Sequence, residues 1–135
     1  RRPGSSEDVM RRRDLLAYVV GAAVAGTALA VPYAGRTLLR AAWPGFVTLD
    51  APFYLLPIVW GVWNVLWVRR GALGSPAAWG ALLGGAIALA GNLLMALRGA
   101  WVPSLLLLVV WLPVMYALAW AFVVVPLDRA LDVDG

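Results

Sequence analysis

The chain has 135 residues, 63% of them hydrophobic and 13% charged, whereas a soluble domain runs about 45–50% apolar and about 25% charged. Its formal net charge of +4 comes from 11 arginines against seven acids, and it has no Lys, His or Cys. Those absences exclude thiolate or imidazole ligation of zinc, haem or an iron–sulfur cluster, a disulfide frame, and Schiff-base chemistry on lysine. No metal and no cofactor is expected.

The chain opens with a basic segment, residues 1–14, carrying Arg1, Arg2, Arg11, Arg12 and Arg13. An uncharged run follows over 15–31, and three more lie at 53–68, 76–97 and 103–127. Crossing a hydrocarbon core of about 30 Å takes roughly 20 apolar residues in a helix. The reading is an all-α integral membrane protein, a compact bundle of four transmembrane helices over 15–127. A short acidic tail, 128–135, closes the chain. The first two runs are short, so each is expected to reach a few residues into its flanks.

Arg12-Arg13-Asp14-Leu15-Leu16 resembles a twin-arginine export signal, with Ala28-Leu29-Ala30 as a small-residue cleavage site. The simpler reading is that three arginines hold the start of the first helix on the inner side. Met10, ahead of those arginines, would suit a start site. After the first span, Leu38, Leu39, Ala42 and Trp43 stand opposite Arg36 and Arg40, a pattern suited to a short amphipathic helix on the outer membrane surface or to a packed loop. Asp50 can cap the second span. Pro57 and Pro113 lie inside runs and are expected to kink the second and fourth helices.

Ser75-Pro76 reads as an N-cap followed by a first-turn proline, and Gly99 after Arg98 as a C-terminal stop. Pro126 is expected to end the fourth helix. Arginine sets the orientation: with the N-terminus inside, the segments at 1–14, 69–70 and 128–135 hold eight arginines, and the outer segments three. The positive-inside rule then puts both termini in the cytoplasm, in a cytoplasmic-type (inner or plasma) membrane. The net charge follows from this distribution and points to no nucleic-acid partner. The basic cluster beside the first span suits anionic lipid.

Helices in lipid associate through small residues and polar pairs. Gly80 and Gly84 make a small face on the third span, and Ala22 and Gly26 one on the first, which suggests that these two helices form the inner pair. The second and fourth, rich in Trp, then face outward or toward a partner. Asn64 and Asn92 are the chain's only side-chain amides, both within spans, where an amide needs a hydrogen-bond partner. Each can bond a backbone carbonyl, or line a pore, ligand site or interface.

Trp60, Trp63 and Trp67 form an indole stripe beside Asn64. Trp111 and Tyr116 make the fourth helix aromatic at depths that an interfacial belt does not explain. The acids all fall outside the four runs, so no carboxylate pair or intramembrane proton carrier is in view. The functional expectation is therefore an accessory or scaffold subunit of a larger membrane assembly, without catalytic chemistry, in contact with the lipid bilayer. The alternative is a small homo-oligomeric channel or transporter for an uncharged or hydrophobic substrate, with Asn64 and the Trp60/Trp67 stripe on a shared pathway.

Overall fold

The computed structural model describes residues 6–42, 55–70 and 74–133, with backbone alone over 31–42. Every regular element among them is helical: α1 (Ser6–Ala42), α2 (Leu56–Arg69), α3 (Pro76–Leu97), a 3₁₀ turn (Pro103–Leu106), α4 (Leu107–Ala119), a π-helical turn (Trp120–Val124) and α5 (Val125–Ala130). Three stretches are long and apolar enough to cross a membrane: Ser6–Ala30, Pro76–Leu97 and Pro103–Ala130. The second expected span is represented by α2, whose 14 residues rise about 21 Å. Residues 51–54 and Asp50, on which its extension and cap depend, lie outside the described residues.

The chain divides after Arg69 into two units, each an antiparallel helical hairpin. In the first, α1 packs on α2; in the second, α3 packs on α4 and the turn that follows it. The sequence suggests the first and third helices as partners; within each unit the partner is the neighbouring helix in the chain. Each glycine-bearing helix takes the bulky helix of its own hairpin as partner, and its small residues let the two backbones approach closely.

Helix ends follow local chemistry. Ser75 Oγ accepts from the Ala78 backbone N–H ahead of Pro76, which has no N–H to leave unsatisfied. At the end of α3, Gly99 takes a φ of +66°, while its N–H bonds the Ala96 carbonyl and that of Ala100 the Met95 carbonyl. Asp132 plays the same part after α5 with a φ of +55°; its N–H reaches Arg129 and that of Val133 reaches Asp128. Both are Schellman closures.

Three expectations on proline and helix length change. Pro57 sits in the first turn of the described α2 rather than inside a helix, where its missing N–H removes no intrahelical bond, so it need not kink the chain. Pro126 does not stop the fourth helix. The π-helical turn before it, in which the Val125 N–H bonds the Trp120 carbonyl, sets Pro126 in a fresh first turn, and the helix runs on to Ala130. The helix of the first span likewise continues unbroken to Ala42, through the stretch expected to form a separate surface helix. Trp43 lies outside the described residues. Pro113 does lie inside α4.

Candidate functional site

In the first hairpin the seam is built on two reciprocal glycines. A Cβ at Gly21 would sit 2.5 Å from the Trp60 carbonyl oxygen, and one at Gly61 would sit 2.6 Å from the Tyr18 ring. Only a hydrogen side chain allows either backbone approach. The packed face of α1 is therefore Ala17, Gly21 and Ala25. The expected Ala22–Gly26 face is displaced by one position: Gly26 is exposed, with nothing within 4 Å of an added Cβ.

One turn along, Asn64 is 0% exposed and its Nδ2 donates to the Ala17 carbonyl at 2.9 Å. Trp60, Asn64 and Trp67 occupy one buried face of α2, spaced i, i+4, i+7, and Trp63 is half-buried beside it. These two indoles thus belong to the packed interior rather than to the outward surface expected for this helix. A bidentate Arg69–Asp14 ion pair, 2.6 Å at its shorter contact, and an Arg13 bond to the Val68 carbonyl at 3.3 Å close the same end of the hairpin.

In the second hairpin both close-approach glycines lie on α3. A Cβ at Gly80 would collide with the Tyr116 carbonyl oxygen, and one at Gly84 would lie 2.5 Å from the Leu112 carbonyl oxygen and 2.9 Å from the Pro113 Cα. Asn92 stands at the other end and uses its whole amide. Nδ2 donates to Ala88 O at 2.9 Å and to Leu105 O at 3.1 Å, while Oδ1 accepts from Trp101 Nε1 at 3.0 Å. The side chain ties the C-terminal part of α3 to the connection and to the 3₁₀ turn that leads into the next helix. Tyr116 is half-buried against this seam.

Trp111 is different: it is 62% exposed, on a face of the same helix that carries exposed Leu107, Val110, Val114, Leu118 and Phe122. Only 17% of the most apolar window of Pro103–Ala130 is buried. At the end of that helix, Asp128, which the sequence assigns to the tail, is carried by α5 and wholly buried. Burial of Trp120, Val124, Val125 and Val133 accompanies it. The Arg70 guanidinium stacks 5.3 Å from the centroid of Trp79 at the start of the second unit. Among the described residues no three acidic side chains gather in a way that could hold a metal ion.

The structure thus separates the sequence candidates into two kinds. Asn64, Trp60, Trp67, Asn92, Gly80 and Gly84 hold the hairpins together, while Trp111 faces outward. Gly21, Gly61 and Asp128 were not singled out from the sequence. Gly61, the only glycine in a helix of bulky side chains, carried a usable signal; Asp128 was hidden by the expectation that Pro126 ends the helix. No family model, curated protein or solved structure matches the chain.

Proposed function

We propose that this chain is a four-span integral protein of a cytoplasmic-type membrane, with both termini inside, that serves as an accessory or scaffold subunit and has no catalytic chemistry of its own. The observation that carries the reading is where its polar groups go. Asn64, Asn92 and Thr27, whose Oγ1 bonds the Ala23 carbonyl at 2.8 Å, each hydrogen-bond inside their own hairpin. The outward face of Pro103–Ala130 is left apolar and aromatic. A contiguous exposed surface of that kind suits lipid or another membrane subunit and does not suit water. Trp111, about two turns into its span, is where an aromatic anchor would dock on a partner.

A transport pathway lined by Asn64 and the Trp60/Trp67 stripe draws no support from this geometry, since Asn64 is sealed in the first seam. Native mass spectrometry after gentle extraction from the source membrane tests the proposal. A defined complex with a different membrane protein is expected, and Trp111→Ala should weaken it. A pure homo-oligomer would contradict the subunit role and restore the channel reading.

A further inference from the structure

The exposed side of α1 changes character within two turns. Arg11 and Arg12 are exposed, and directly below them on the same helical face stand Leu15, 62% exposed, and Val19, 51% exposed. The opposite face, with Ala17, Val20 and Gly21, is the buried one. Arg13 and Arg69 lie at the same end of the hairpin, each already bonded within it. Four arginines, Arg11, Arg12, Arg13 and Arg69, stand here against Glu7, Asp8 and Asp14, so the end is cationic even after its own carboxylates are counted.

A free polyanion such as a nucleic acid would use the guanidinium groups and gain nothing from the leucine and valine beneath them. A phospholipid uses both. We propose that this face of α1 binds an anionic phospholipid of the inner leaflet, with its phosphate held by Arg11 and Arg12 and an acyl chain lying along Leu15 and Val19. Guanidinium is the cation best matched to a phosphate, which it can engage through two parallel N–H donors. Its aliphatic stem reaches up from the hydrocarbon boundary while the charge stays at headgroup level. The inference rests on the membrane reading above.

Full-length protein reconstituted in nanodiscs or vesicles of phosphatidylcholine with increasing phosphatidylglycerol, then released for native mass spectrometry, tests it. Phosphatidylglycerol should be retained over phosphatidylcholine, and the Arg11→Gln/Arg12→Gln double variant should lower that preference roughly thirtyfold, the scale expected for two surface arginines. Arg11→Lys/Arg12→Lys, which keeps the charge and loses the two-donor fork, should keep only part of it, and raising salt should weaken the wild-type preference. Inorganic phosphate at matched concentration should not displace the lipid; displacement would mean a simple anion site and would overturn the proposal. So would an equal preference in wild type and double variant. Insertion without any lipid preference overturns this inference alone, whereas failure to enter either bilayer overturns the membrane reading with it.

Discussion

The two hairpins use one device in two arrangements. In the first, the glycines are reciprocal, Gly21 beneath Trp60 and Gly61 beneath Tyr18; in the second, Gly80 and Gly84 lie on one helix against carbonyls of the other. Each hairpin also has one asparagine, but at opposite ends. Asn64 and the Asp14–Arg69 pair hold the open end of the first hairpin, far from its connection over 43–55. Asn92 holds the closed end of the second, where the chain turns within a few residues. A long connection constrains register weakly, so the lock must sit where the helix ends would otherwise drift apart. A short turn already constrains register and needs its own backbone tied down instead.

The largest effect separating the two arrangements should come from Gly80→Leu. Its side chain would meet a backbone carbonyl rather than a movable side chain, so the cost should be about 3 kcal/mol or the loss of the second hairpin outright. Gly26→Leu, with open space around it, should change stability by less than about 0.5 kcal/mol. Tryptophan-fluorescence melting of both variants in detergent checks this pair, and equal destabilisation would show that the seam is misplaced.

Asn64→Leu comes next. It removes a buried inter-helix hydrogen bond of a kind worth about 0.6 kcal/mol on average and up to about 1.7 in membrane proteins, and forces a branched side chain against Ala17. A cost of about 1–2 kcal/mol is expected, with hydrogen exchange rising in α1 and α2 and not in α3. Asn92→Ala should cost about 1 kcal/mol, and its exchange signature should be confined to residues 98–105. If the exchange patterns of the two asparagine variants overlap, the two locks are not separate. The smallest effect belongs to Arg69→Gln. The pair with Asp14 is exposed on the arginine side, so only a slight shift in melting is expected, and high salt should produce the same shift in the unsubstituted protein.

Much of this architecture was legible in residue order. The third helix follows from Ser75-Pro76 at one end and Gly99 at the other, because capping chemistry is local. The partners of Gly80 and Gly84 were not legible. A small-residue face declares that a backbone approaches closely and does not declare whose. Trp60 and Trp67 were placed outward because indole is bulky, yet Gly61 between them lets α1 come close enough to cover their face. Pro126 read as a stop because a proline normally removes one α-helical bond; the π-helical turn before it absorbs the mismatch and carries Asp128 into a buried position.

The proposed function requires that α2 cross the membrane, giving four spans and returning both termini to one side. The absence of native cysteine makes this directly measurable. Single cysteines at Ser6, Thr48, Ala72 and Ala100 can be probed in intact cells with a membrane-impermeant maleimide. With four spans, Thr48→Cys and Ala100→Cys should label, and Ser6→Cys and Ala72→Cys only once the membrane is opened. Labelling of Thr48→Cys and Ala72→Cys from the same side would mean that α2 does not cross, and would contradict the proposed four spans.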